Sequence, residues 1–129
     1  MAAYLLDTHV LIWIDSAPHY LSSGALDIIE NPSNEIWISN VSLWEMQIKL
    51  QLGKLALSIP IAEIVSAQIN RNHFQLLDIC LPHILNLENL PAVHKDPFDR
   101  MLISQAISEK MKFISHDPVA KQYPVDVIW

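Results

Sequence analysis

Four acidic residues far apart in the chain, Asp7, Glu45, Asp99 and Asp117, are the ones whose type and setting could do chemistry. Asp99 is the least ordinary of them. In the stretch His94-Lys95-Asp96-Pro97-Phe98-Asp99-Arg100, Asp96 precedes a proline, the pattern of an N-cap followed by proline at the first helical position. Asp99 instead shares a helical face with Leu102, Ile103 and Ala106, at spacings of three, four and seven. A carboxylate at the head of an apolar stripe needs a partner. Other carboxylates gathered around a divalent cation would supply it, and an all-oxygen ligand set suits Mg²⁺ or Mn²⁺ rather than copper or zinc.

The elements that must position these acids follow from periodicity and punctuation. Tyr4-Leu5-Leu6 reads as a buried strand, and Thr8 as the cap of a helix carrying Val10, Leu11, Trp13 and Ile14. Pro18 ends that helix, and a second short one runs from about Ala25 to Glu30. Residues 35–39 form a second strand. The alternation of residues 46–52 would suit a strand as well, but a helix is expected there. Ser42 and Glu45 have the spacing of a capping box, and Gly53 sits where a helix C-terminal glycine belongs. A helix from Pro60 fades near Asn70 to Asn72. Residues 74–79 are a third strand, and a helix opens near Pro82 and stops before Pro91. The helix starting at Pro97 runs to about Lys110, residues 112–115 are a fourth strand, and a short helix and a fifth strand over 125–129 close the chain.

Strands alternating with helices, without Asn-Gly or Asp-Gly hairpin signals, predict a single α/β domain over residues 1–129. Its architecture is a three-layer α/β/α sandwich around a mostly parallel, roughly five-stranded sheet. Such sheets carry their ligand sites along the edge where strands end and the following helices begin. Asp7 and Asp117 follow strands one and four, and Glu45 and Asp99 are expected in first helical turns. Topology therefore sends all four to one edge. Each has an ordinary reading, since acids cap helices and favour their N-termini. Together, without a cation, they would repel one another.

Composition removes several function classes. Glycine occurs only at positions 24 and 53, too few for a phosphate-cradling loop or a dinucleotide fingerprint. Cys80 is the single cysteine, which excludes an intrachain disulfide and a cysteine-based zinc site. The formal charge of −6 argues against diffuse electrostatic binding of nucleic acid, yet leaves open a phosphate held through a metal. No apolar run approaches the roughly 20 residues of a membrane span and the start lacks a basic region, so a cytoplasmic protein without membrane contact is expected.

Leu5-Leu6-Asp7-Thr8-His9, Ser42-Leu43-Trp44-Glu45, the run from His94 to Ala106, and Phe113-Ile114-Ser115-His116-Asp117 resemble the motifs of PIN-domain ribonucleases, and more closely those of VapC-type toxins of bacterial toxin–antitoxin pairs. The resemblance spans essentially the whole chain. It implies a PIN-like fold and a metal-dependent endoribonuclease with catalytic, metal-binding acids at Asp7, Glu45, Asp99 and Asp117. It also implies one or two Mg²⁺ or Mn²⁺ ions and small hydroxyl positions at Thr8 and Ser115. Asp117 matches the family's last acid, which varies and is sometimes replaced. An RNA substrate, a cognate antitoxin protein and a homodimer are the implied partners, with the antitoxin expected over helices near residues 43–69. Arg100 or Lys95 could contact the substrate backbone, against the ordinary reading of each as a solvated charge. His9, His94 and His116 lie near the proposed edge without the spacing of a helical zinc motif, and the tryptophans are assigned to the core or a subunit interface.

Two other classes compete. A PIN-like binding module with weak or no catalysis would have no use for clustered charge. A magnesium-dependent phosphatase or phospho-acceptor domain also puts aspartates at strand ends, but Asp7-Thr8-His9 lacks the second aspartate of the usual phosphatase motif.

Overall fold

The computed structural model of the chain describes residues 2–94 and 96–129. Its centre is β1, Ala3–Leu6, flanked by β2, Glu35–Ser39, and β4, Lys112–Ile114, with β3, Gln75–Leu77, and β5, Val127–Ile128, at the edges. All four pairings are parallel, and Leu5 lies opposite both Trp37 and Phe113. The chain builds outward from β1 through β2 to β3, then crosses back to place β4 on the other side of β1. The crevice at the C-terminal ends of β1 and β4 is therefore the point where strand order reverses, the usual ligand position of such sheets.

Alternation along the strands divides the core into two layers. Tyr4 and Leu6 of β1, Ile36 and Ile38 of β2 and Ile114 of β4 pack on one face. They meet Val10 and Leu11 of α1, Thr8–Ser16, Ala25 of α2, Ser23–Glu30, and Ile64 of α4, Ile61–Asn72. On the other face Leu5 and Phe113 meet Leu102, Ile103 and Ala106 of α6, Pro97–Ser108. Leu5, Leu102 and Ala106 have no accessible surface, and each fully buried leucine contributes roughly 1.5–3 kcal/mol. The three-layer α/β/α architecture expected from the sequence is the one observed.

Between β2 and α4 runs α3, Asn40–Gln51, whose buried positions Val41, Ser42, Glu45 and Met46 have helical spacing. The alternation of residues 46–52 is thus a coincidence of side chains on a helix. Gly53 closes it at φ +70°. Its N–H bonds Leu50 O at 3.1 Å while Lys54 N–H bonds Lys49 O at 2.8 Å, the paired bonds of a Schellman motif. The same motif ends α6, with Lys110 in the left-handed position at φ 56° and Met111 N–H on Ala106 O at 2.8 Å.

Several local expectations are corrected. The cap of α1 is Asp7, with Thr8 the first helical residue, and the cap of α3 is Ser39, whose hydroxyl accepts from Val41 N. Ser42 and Glu45 therefore do not form a capping box, and Glu45 lies in the second turn. Strands β3 and β5, both at the sheet edges, are shorter than expected, and β4 stops one residue early. The segment before Pro91 divides into α5, Leu81–Leu85, and a 3-10 turn, Asn86–Asn89. No helix among the described residues is long and apolar enough to cross a membrane.

Candidate active site at the sheet switch point

Asp7 is fixed through both its backbone and its carboxylate. Its N–H continues the β1–β4 pairing by donating to Ile114 O at 3.0 Å. Thr8 N–H donates to Oδ1 at 2.7 Å and the Ser115 hydroxyl donates to Oδ2 at 2.6 Å. The residue is 8% exposed. Burial pushes its carboxyl above the ordinary value despite the lowering effect of the Ser115 and Thr8 hydrogen bonds, and the charge of Glu45 adds to the rise. The capping role and the site role coincide in this one side chain.

Glu45 arrives from α3 and is almost wholly buried. Thr8 Oγ1 lies 2.7 Å from Glu45 Oε1 and 2.9 Å from Ser42 Oγ. The threonine hydroxyl has one proton; given to the carboxylate, it leaves Ser42 to donate to Thr8. One turn on, Lys49 Nζ bonds Glu45 Oε2 at 2.6 Å. That hydrogen bond, more than the negative charges of Asp96 and Asp99 nearby, holds the Lys49 ammonium above its usual range.

Asp96 and Asp99 separate by role, as the sequence implies. Asp96 caps α6, accepting from Phe98 N at 2.8 Å and Asp99 N at 3.3 Å. Asp99 turns toward the crevice, where burial first and the charge of Asp7 second raise its carboxyl to about 7. Asp96 and Glu45 add to the rise, and His94 opposes it.

His94 and Asp117 complete the group. His94 Nε2 lies 2.7 Å from Asp117 Oδ2, and the Tyr123 hydroxyl lies 3.0 Å from Nδ1 while accepting from the His94 backbone N–H at 2.8 Å. With the tyrosine proton directed at Nδ1, the ring carries its own proton on Nε2 and gives it to Asp117. Asp117 Oδ1 meanwhile caps the 3-10 turn Pro118–Gln122 through Val119 N at 2.9 Å, and Asp117 N–H donates to Ser115 Oγ at 3.0 Å. One ligand atom from each of His94, Asp99 and Asp117 lies within 4.8 Å of the others.

Asp7, Glu45 and Asp99 come within one another's electrostatic reach, and Asp117 joins through His94 and Ser115. Oxygen donors in this number, around a half-buried carboxyl that burial and like charge keep from ionising freely, fit a hard divalent cation. The contacts of two members are not legible in the sequence. Lys49 is legible only as the i+4 neighbour of Glu45, and His94 depends on the course of an irregular segment. Arg100 is engaged elsewhere, its guanidinium donating to Pro91 O at 2.7 Å and Leu87 O at 3.2 Å. It fastens the segment before α6. Lys95 lies outside the described residues.

At the far end of α6, Cys80, His83 and Glu109 form the other group of metal-ligating types among the described residues. There the His83 ring is engaged on both sides, accepting from Cys80 N at Nδ1 and facing Glu109 from Nε2 at 3.1 Å. It ties α5 to α6.

Comparison with known proteins bears on the fold and the family. The chain is 26% identical over 118 residues to Ribonuclease VapC22 of Mycobacterium tuberculosis, covering 91% of this chain and 88% of that protein. Its fold matches a chain of the VapBC2 complex of Rickettsia felis bound to a promoter DNA fragment, with a TM-score of 0.74 at 17% identity over 98% of this chain and 97% of that one. It also matches a chain of the DNA-bound VapBC complex of Salmonella typhimurium, with a TM-score of 0.67 at 16% identity over 99% and 98%. The sequence pattern of the PIN domain matches residues 4–125. With sheet order, switch-point crevice and nearly full-length match in agreement, the chain belongs to the PIN-domain family.

Proposed function

We propose that this chain is a divalent-metal-dependent endoribonuclease, the toxin of a toxin–antitoxin pair, hydrolysing RNA phosphodiesters at the β1–β4 crevice. The observation that carries the proposal is the convergence there of Asp7, Glu45, Asp99 and Asp117 from four separate segments. The ribonuclease name of the curated relative supports the reaction, and the VapBC neighbours support an antitoxin partner.

Asp7 and Asp99 are assigned as direct ligands of one or two Mg²⁺ or Mn²⁺ ions, with Glu45 and Asp117 completing the set. Such an ion supplies Lewis acidity toward a non-bridging phosphate oxygen and activates water for in-line attack. The chain's own contribution is preorganisation. Ser115 and Thr8 N–H lock the Asp7 carboxylate, the Thr8 hydroxyl orients Glu45, and His94 holds Asp117. Lys49, bonded to Glu45 and with a side chain one-third exposed, is assigned as the cation that meets a phosphate oxygen. As a homodimer the protein would present two such crevices.

The test is labelled RNA incubated with purified protein in Mg²⁺, Mn²⁺ or EDTA. Cleavage that requires the metal and disappears in folded Asp7→Asn and Asp99→Asn variants is expected. Cleavage equal in EDTA, or surviving both substitutions, overturns the assignment. For the partner, co-expression with the adjacent small reading frame should yield a co-purifying complex in which cleavage is suppressed.

A further inference from the structure

Beside the acids lies a cluster of rings that the cleavage chemistry does not use. Trp13 is its hub, with ring centroids of His9 at 5.8 Å, Tyr20 at 5.5 Å, Trp129 at 5.9 Å and His116 at 6.2 Å. His116 and Trp129 are themselves 5.0 Å apart. Local structure ties this cluster to the site. His9 and Trp13 stand four residues apart on α1, one turn apart on the same face, and α1 is capped by Asp7. His116 lies between Ser115, which bonds Asp7, and Asp117, which bonds His94.

The two groups share a cleft. A cavity of about 210 Å³ is lined by Asp7, His9, Trp13, His116 and Asp117, so its floor is acidic and its walls are aromatic. Packing does not account for the outer walls, because His9 and His116 are exposed and Trp13 is only partly buried. The chain also has to hold a polyanion with a formal charge of −6. Electrostatic attraction over the whole surface, the usual source of nucleic-acid affinity, works against it. Stacking is the sequence-tolerant alternative, and an aromatic wall can grip a base only when that base is not already stacked in a duplex.

We infer that this aromatic cleft receives an unpaired nucleobase of single-stranded RNA, next to the phosphate held at the acids. The inference rests on the nuclease reading and deepens it. Substrate choice is then set partly by strandedness: a flanking nucleotide must be free to leave its stack, and its base lies against His9, Trp13 and His116.

The experiment measures binding apart from cleavage. In the full-length Asp99→Asn chain, which cannot cleave, a short labelled single-stranded RNA is followed by fluorescence polarisation and by quenching of tryptophan emission. Stacking of one base predicts that removing the wall weakens binding about 5- to 140-fold. His9→Ala/His116→Ala, which removes two exposed rings and leaves the core intact, should show such a loss, and Trp13→Leu should also reduce the quenching. The matching RNA duplex should bind no better than the ring-deleted variants. In the otherwise unaltered chain, His9→Ala/His116→Ala should raise KM with little change in kcat.

Unchanged affinity in the folded double variant, or a duplex bound as tightly as the single strand, overturns the inference. Binding of single strands without any metal-dependent cleavage by the unaltered chain would instead overturn the nuclease reading and leave the cleft in place.

Discussion

Replacing Asp99 with asparagine should do two opposite things at once: end cleavage and stabilise the metal-free protein. The Asp99 carboxyl stands at about 7 in the fold against an ordinary value of 3.8. A group whose folded pKa is raised binds its proton more tightly in the native state, so stability falls as pH rises from about 4 through 7 and stays low above that. Each pH unit is worth about 1.4 kcal/mol, so the whole displacement corresponds to about 4 kcal/mol. The carboxyl is only half-buried, and solvent screening reduces the expected effect to about 2 kcal/mol. For a chain of this length that is a rise in Tm of about 8 °C for Asp99→Asn at pH 8 in EDTA. At pH 5 the native carboxyl keeps its proton, and most of the difference should vanish. Saturating Mg²⁺ should raise the Tm of the unaltered protein by mass action and leave the variant nearly unmoved. Thermal denaturation at the two pH values, with and without metal, checks each arm. An asparagine variant no more stable than the parent at pH 8 would refute the crowding of charge at this crevice.

Asp96→Ala should lower stability by about 1 kcal/mol through the lost cap of α6 while the folded fraction still cleaves; denaturant unfolding paired with a cleavage assay separates the two. Thr8→Val should cost about 1–2 kcal/mol by leaving Glu45 and Ser42 without their shared hydroxyl, with cleavage reduced more than binding. Lys49→Met removes a partly exposed cation from the Glu45 carboxylate, and a loss of about 1 kcal/mol in EDTA that shrinks in Mg²⁺ is expected from melting curves. Lys110→Gly should stabilise by roughly 0.5–1 kcal/mol, because the left-handed closing position of α6 carries a side chain it does not need.

What can be read from the sequence is whatever topology alone determines. Asp7 follows a strand that apolar content marks as buried, and the three-, four- and seven-residue spacing of Asp99 fixes its face whatever the rest of the molecule does. Glu45 stands out in the sequence through a capping-box spacing that the structure does not use; the helix it lies on begins earlier, after Ser39, and a partner from α1 holds its carboxylate. The contacts of His94 and Arg100 are not legible for a different reason. Both depend on an irregular stretch before α6, where no periodicity reports which way a side chain turns. The tryptophans show the same limit: Trp13 and Trp129 are partly buried against the core, yet their rings also meet exposed histidines at the crevice, and composition cannot divide one ring between two duties.

The bond between Asp7 and Ser115 spans 108 positions in the chain, and β4 fills the place beside β1 only after β2 and β3 have been laid down on the other side. During synthesis, then, the central strand waits with one edge open while Asp99 and the whole of α6 are still to be made. A half-built chain holds Asp7 and Glu45 but neither the hydroxyl that aims the first nor the helix that brings the third acid. Under the nuclease reading the site is complete only once the fourth strand has paired with the first, which brings Ser115 and Asp117 to the crevice beside Asp7.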